Sequence, residues 1–276
     1  MFGKEDRMKR HLVVCLAVTI LILAGYAPAY GDSWSLSLGG YSTDFAYDIK
    51  QTADGGYIVA GVTASFTNAN DAWVLKLSPS GAVEWQKTYG RAGYNSANSI
   101  QQTADGGYIV AGMNHGDAWV LKLSANGNID WQKTYGGSGF DYANAIQQTT
   151  DGGYIVAGTT RGSGAGEADA LILKLSGGGS IEWQKTYGGA GLESASAIQQ
   201  TADQGYIVTG YTNSFGAGGA DVWLLKLEKN GSEDWQKTWG GHRKILPPQS
   251  GRRPTVAISL PARQLLPAPA MGMPGC

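Results

Sequence analysis

The 276-residue sequence predicts an all-β fold of propeller type with four recognisable four-stranded blades, each about 50 residues long. Two recurring markers carry that expectation. The segment DGGYIVAG at Asp54 returns at Asp105 and Asp151, and as DQGYIVTG at Asp203, with spacings of 51, 46 and 52 residues. The tryptophan of the EWQKTYG type at Trp85 returns at Trp131, Trp183 and Trp235, with spacings of 46, 52 and 52. Composition agrees: 42 glycines with only nine prolines and no Gly-X-Y period exclude collagen, and 42 % hydrophobic residues suffice for a core.

The net charge of −1 averages three unlike segments. Residues 1–31 carry a net +2, residues 32–241 a net −8 and residues 242–276 a net +5. In the first, Lys9, Arg10 and His11 precede a thirteen-residue apolar run from Leu12 to Ala24, and small residues follow. That order is the one a secretory signal peptide has, with cleavage after Ala29 or after Gly31, and Met8 gives a cleaner start than Met1. The run is shorter than the roughly 20 apolar residues of a spanning helix, so no membrane span is expected in the mature chain. The expected location is secreted, extracellular or at the cell surface. Cleavage removes Cys15 and leaves Cys276 alone, so packing must supply the stability that a disulfide scaffold would otherwise provide.

Residues 32–241 form the repeat domain. Each copy reads as a strand of the NAIQQT type, a second of the GYIVAG type, a third of the DAWVLKL type and a fourth of the EWQKTYG type. The second is apolar on both alternating faces, as a strand covered on both sides requires. In the fourth, Trp85, Lys87 and Tyr89 share one face while Gln86 and Thr88 share the other, which places it at the half-exposed outer edge. Between the first and second strands, the first glycine becomes Gln204 in the last copy, whereas Gly56, Gly107, Gly153 and Gly205 are invariant. The second position is therefore expected to need φ > 0. Between the third and fourth strands, three-residue loops end in Gly81, Gly127, Gly179 and Gly231, as in a type I turn with a glycine bulge. That register pairs Lys76 with Glu84, Lys122 with Asp130, Lys174 with Glu182 and Lys226 with Asp234 across exposed hairpins.

Two features flank the copies. WSLSLGG, from Trp34 to Gly40, has the shape of WQKTYGG and reads as a lone fourth strand ahead of the first copy. The last copy already ends with its own fourth strand, so the lone strand calls for partners after Gly241. There the character changes: residues 242–276 hold seven of the nine prolines, five basic residues and no acid. Such a segment is expected to be disordered, and the expectation is an incomplete or truncated propeller whose tail is a frameshift artefact or a chimeric end, with a basic patch for an anionic polymer as the alternative.

The combination DGGYIVAG, DxWxLKL and a glycine four residues before WQKTYGG resembles the tandem repeats of secreted bacterial and archaeal β-propeller proteins, most of them uncharacterised. The resemblance covers residues 34–241. A looser likeness is to quinoprotein-type propeller repeats, whose glycine-to-tryptophan spacing Gly81 to Trp85 and Gly127 to Trp131 match. The aspartate of that family's hairpin is replaced by Ser78, Ser124, Ser176 and Glu228 at the nearest position, so no quinone cofactor is expected.

Chemistry is sparse in the repeats. His115 is the one histidine of residues 32–241, too few for a His-rich zinc site or a hydrolytic triad, and RGSGAGEAD at 161–169 reads as a connection, not a phosphate cradle. Asp71, Asp117, Asp169 and Asp221 open the third strands and are expected to bond turn NH groups. Asp44, Asn95, Asp141 and Glu193 lie five residues before Ile49, Ile100, Ile146 and Ile198. If the first strands line a channel, these four form a polar ring at its mouth, the candidate ligand site, whose oxygen donors are of the kind calcium takes although unlike side chains in a ring suit a metal poorly. No catalytic residue, metal site or resident cofactor is assigned. The acidic domain excludes nucleic acid as partner. The expected function is a secreted, non-catalytic binding or scaffold module for a protein or glycan. The alternative is an extracellular enzyme, either a polysaccharide-acting hydrolase or a quinoprotein-like oxidoreductase.

Overall fold

A computed structural model of the chain describes residues 35–66, 69–90 and 93–241. The expected signal peptide, Trp34 and the basic tail lie outside the described residues. Blade 1 comprises β1 (Asp44–Gln51), β2 (Tyr57–Thr63), β3 (Asp71–Leu77) and β4 (Val83–Tyr89). Blade 2 comprises β5 (Asn95–Gln102), β6 (Tyr108–Asn114), β7 (Asp117–Leu123) and β8 (Ile129–Tyr135). Blade 3 follows with β9 (Asp141–Gln148), β10 (Tyr154–Thr160), β11 (Asp169–Leu175) and β12 (Ile181–Tyr187). Blade 4 closes the series with β13 (Glu193–Gln200), β14 (Tyr206–Thr212), β15 (Asp221–Leu227) and β16 (Glu233–Trp239). Every sheet has the strand order first, second, third, fourth and is antiparallel throughout. The four blades form an open propeller-type array, its first strands β1, β5, β9 and β13 neighbouring one another in sequence order.

The core lies between blades. Ile58, Ala60, Ala72 and Val74 of blade 1 meet Ile100, Tyr108, Val110, Trp119 and Leu121 of blade 2 in one buried cluster, and the next two junctions repeat it. The fourth strand closes each junction. Trp85 packs edge-on against Tyr108 with centroids 5.9 Å apart, Trp131 against Tyr154 at 6.0 Å and Trp183 against Tyr206 at 5.9 Å. The same indole rings lie over the hairpin glycine of the next blade, at Gly127, Gly179 and Gly231, where a side chain would collide with them. Beside each ring, the Tyr89 hydroxyl donates to Gly127 O at 2.7 Å, Tyr135 to Gly179 O at 2.7 Å and Tyr187 to Gly231 O. Burial pushes all three phenols well above their ordinary range. The outer strand thus clasps its neighbour while its alternate residues face water.

The turn between first and second strands corrects the glycine assignment. Gly55, Gly106 and Gly152 have φ of +81°, and Gln204 in the same place has +65°, so the first position is the left-handed one. The second position must be glycine for another reason. A Cβ at Gly56 would run into Leu77 O and Lys76 Nζ, and Gly107, Gly153 and Gly205 are equivalent. The close approach admits a lysine.

That lysine also departs from expectation. Lys76, Lys122 and Lys174 are buried, at 3 %, 5 % and 3 % exposure, instead of lying on an open hairpin. Their register partners are Trp85, Trp131 and Trp183, because a bulge between Lys76 and Leu77 and its equivalents shifts the hairpin by one residue. The expected acids occupy the bulge and still reach the ammonium: Lys76 to Glu84 at 3.1 Å, Lys122 to Asp130 at 3.6 Å and Lys174 to Glu182 at 3.1 Å. Lys226 forms no such pair with Asp234. The partner constant in all four blades is the turn aspartate, with Lys76 to Asp54 at 2.9 Å, Lys122 to Asp105 at 2.9 Å, Lys174 to Asp151 at 3.1 Å and Lys226 to Asp203 at 3.0 Å. Each lysine also donates to the carbonyl after it, as Lys76 does to Leu77 O at 3.1 Å. Lys76, Lys122 and Lys174 thereby meet three acceptors each, the condition for keeping an ammonium out of water, and Lys226 meets two.

Hydrogen bonds from Thr103, then Lys122, hold Asp105 down at about 2. Burial raises Asp151, but bonds from Thr149, Gly153 and Lys174 outweigh it and hold it at about 2, and Asp54 and Asp203 are lowered in the same way. Burial alone would lower Lys76; its bonds to Asp54 and Glu84 outweigh that and raise it.

Two predictions follow from these turns. Gly107→Ala is expected to destabilise by about 1 to 3 kcal/mol through overpacking, whereas Gly106→Asn costs about 1 kcal/mol or less, since no atom approaches that position and asparagine tolerates φ > 0. Urea midpoints of the two variants measure the difference. Because the aspartate pKa values are depressed on folding, their contribution is present above the ordinary carboxylate range and is lost as pH falls from about 4 to about 2. Urea unfolding across that window should show the loss, and Asp105→Asn should flatten it.

Candidate functional site

Strand direction divides the connections into two ends. At the hairpin end lie the turns between first and second strands and those between third and fourth, identical in backbone plan in all four blades. Each first turn closes through Thr52 N to Gly56 O at 2.9 Å or its equivalents, and each hairpin through Ser78 N to Ala82 O at 2.8 Å or its equivalents. The linker end holds the connections from second to third strand and from each fourth strand to the next blade. Its second-to-third loops differ: residues 64–70, 115–116, 161–168 and 213–220. In the shortest, His115 at φ 54° and Gly116 at φ 95° form a two-residue turn of type I′, with His115 exposed.

The four ring candidates all begin the first strands at the linker end. Asn95, Asp141 and Glu193 are fully buried there, and Asp44 is half-buried. Asp44 accepts hydrogen bonds from Thr63 Oγ1 at 2.5 Å, Ser65 Oγ at 2.7 Å and Gly40 N at 3.0 Å. Glu193 accepts from Thr212 Oγ1 and Gly189 N at 2.8 Å each, and from Asn213 N and Ser214 N at 3.1 Å. Burial would raise its pKa, but these donors outweigh that and lower it. Asp141 takes Gly137 N on Oδ2 at 2.9 Å. Its Oδ1 is buried and accepts no hydrogen bond. Asn95 donates from Nδ2 to Asp71 Oδ1 of the preceding blade at 3.1 Å.

These side chains turn toward their own blade or the one before it. Their backbone does the same work: Asn95 N, Asp141 N and Glu193 N donate to Asn70 O, Gly116 O and Ala168 O of the preceding blade at 2.8, 2.6 and 2.8 Å. They act as a latch that stitches successive blades at the linker end. Among the described residues, no three His, Cys, Asp or Glu side chains are grouped to hold a metal ion. The third-strand aspartates behave as expected in two blades, with Asp169 accepting from Gly166 N at 3.2 Å and Asp221 from Ala217 N at 2.7 Å.

Sequence reasoning missed the aromatic residues at the linker end. Tyr94 and Phe140, each immediately before a ring residue, are exposed, as is Phe66 in the first loop, which leans on Trp73 with centroids 5.6 Å apart. Phe140 lies against Gly116 of the short turn. The signal was available: the residue preceding each ring position reads Thr43, Tyr94, Phe140 and Leu192, an aromatic in two of four copies where a linker has no core to fill.

No protein-family model and no curated protein matches the chain. Solved structures similar to it include a protein of unknown function from Bacteroides caccae, at 10 % identity and TM-score 0.46, covering 74 % of this chain and 85 % of that one. The WD40 domain of Neurospora crassa Pan2 is similar at 14 % identity and TM-score 0.42, covering 69 % and 65 %. Sqt1 from Chaetomium thermophilum is similar at 13 % identity and TM-score 0.42 over 68 % of this chain, which spans 44 % of its length.

Proposed function

We propose that the chain is a secreted, non-catalytic β-propeller module that binds its ligand, a neutral glycan or a protein loop, at the linker end. The contrast between the two ends carries this reading. One end repeats the same closed turns four times, while the other varies its loops from two residues to eight and presents Tyr94, Phe140 and Phe66. Aromatic side chains held on a rigid frame offer large contact area at little entropic cost, and their faces suit the C–H surface of a sugar or an apolar side chain. The carboxylates of the same end serve the frame, since both oxygens of Asp44 and of Glu193 already accept from donors of this chain. Calcium belongs to the same reading through Asp141, whose Oδ1 is the buried carboxylate oxygen with capacity to spare.

The test is a melting-temperature series with neutral oligosaccharides and with calcium, paired with reducing-end release on the same oligosaccharides. A ligand of the folded state at 100 times its Kd adds about 2.7 kcal/mol and must raise Tm. The expected result is a shift without turnover that Tyr94→Ala and Phe140→Ala remove; Asp141→Asn should remove the calcium shift alone. Hydrolysis that Asp141→Asn abolishes would replace the module with an enzyme.

A further inference from the structure

The outer hairpin of blade 4 departs from the other three in its side chains. In blades 1 to 3 the loop opens on Ser78, Ser124 or Ser176, whose Oγ accepts the NH of Ala82, Asn128 or Ser180 at 3.1 Å each. Blade 4 has Glu228 in that place. The NH of Ser232 turns instead to Asn230 Oδ1, at 2.8 Å. The backbone of the loop is the same as in the other blades. Gly231 N donates to Glu228 O at 2.9 Å, Glu228 N donates to Ser232 O at 2.8 Å, and Gly231 keeps a φ of +76°.

That exchange orients one amide. With its oxygen held by the NH two residues on, the Asn230 side chain keeps its Nδ2 as a donor that bonds no other group among the described residues. Glu228, Lys229 and Asn230 are all exposed, and Lys229 is drawn aside to Gln204 Oε1 at 2.8 Å. Ser232 is half-buried, and Gly231 places no side chain between it and Asn230. Of the ten asparagines in the sequence, Asn230 alone has a serine or threonine two places on. Blade 2 supplies the contrast: Asn126 is exposed at the same hairpin position and is also followed by glycine, but Asn128 stands where Ser232 does and gives its NH to Ser124.

We propose that Asn230 is an acceptor for an N-linked oligosaccharide. Asn230-Gly231-Ser232 is the acceptor triplet, asparagine, a residue other than proline, then serine or threonine, and it lies on an exposed loop as such a site must. The donor is an oligosaccharide carried on a polyprenyl diphosphate. A bond forms from Asn230 Nδ2 to the anomeric carbon of the first sugar. The bond from that carbon to the diphosphate oxygen breaks, the lipid diphosphate leaves with the electron pair, and the proton lost from Nδ2 passes to a base of the transferase. The inference rests on the export read from the N-terminal leader, because such donors are used on the far side of the cytoplasmic membrane. An oligosaccharide on Asn230 stands at the hairpin end, away from Tyr94 and Phe140 at the linker end.

The test gives the folded full chain a purified oligosaccharyltransferase and a polyprenyl-diphosphate oligosaccharide in vitro, so that its outcome depends on the loop and not on export. Peptide mass spectrometry should find an oligosaccharide on Asn230 and none on Asn126. Asn230→Gln and Ser232→Ala should each lose it with circular dichroism unchanged. Ser124→Glu combined with Asn128→Ser rebuilds the blade 4 loop in blade 2 and should add a second oligosaccharide, on Asn126. No transfer to Asn230, transfer only after unfolding in urea, transfer that survives Ser232→Ala, or none to Asn126 in the rebuilt loop overturns the inference. Fractionation of the producing cells reads export separately: a chain confined to the cytoplasm overturns the secreted reading, and the inference with it, even where transfer in vitro succeeds.

Discussion

The interaction on which this fold depends is the outer clasp, in which one blade's indole covers the next blade's hairpin glycine and a phenol bonds the same glycine's carbonyl. Trp85 and Tyr89 close on Gly127, and the pattern recurs at Gly179 and Gly231. Each blade is a sheet with apolar residues on both faces, so a single blade would expose most of what it should bury. The clasp fixes the distance and rotation between sheets at their periphery. Ala53 N to Gln102 Oε1 at 2.8 Å, and its equivalents, fix them near the inner strands. With both margins held, the Val, Ile and Leu side chains between them are buried against one another.

The buried lysines show how the repeat tolerates charge inside such a stack. The ammonium of Lys76 is admitted by a glycine with no Cβ, received by an aspartate one turn away and shared with an acid in a bulge. Its presence ties the first turn to the outer hairpin, two connections that the backbone ladder alone leaves independent. The cost of burying the charge is offset only while all three partners remain. Charged residues in this motif therefore serve register and closure, which leaves the differing linker loops as the place where one blade is distinguished from another.

Much of this was legible in the sequence, because a fold repeated four times announces its elements through self-similarity. Strand order, the outer position of the WQKTYG strand and the three-residue hairpins with a terminal glycine at positive φ, such as Gly81 at +84°, follow from alternation and spacing. What was misread depended on proximity in space. Invariance of Gly56 pointed to backbone conformation, but its cause is an atom from another strand, Leu77 O, which no local pattern encodes. The Lys76–Glu84 pairing was right as a contact and wrong as a register, because a bulge keeps the ion pair while moving the ladder by one. The polar series at Asp44, Asn95, Asp141 and Glu193 was found at the expected strand, yet its side chains turn to their own blade or the one before it, held by linker NH groups such as Gly137 N and by the Asp71 carboxylate, contacts that spacing alone does not encode.

The two-residue turn of His115 and Gly116 has a consequence for the rim of loops. Its neighbours span seven and eight residues, so blade 2 carries the least chain at that margin. With two residues in place of seven or eight, the turn leaves Phe140 exposed against Gly116, an aromatic ring without a longer loop at that blade edge to shelter it.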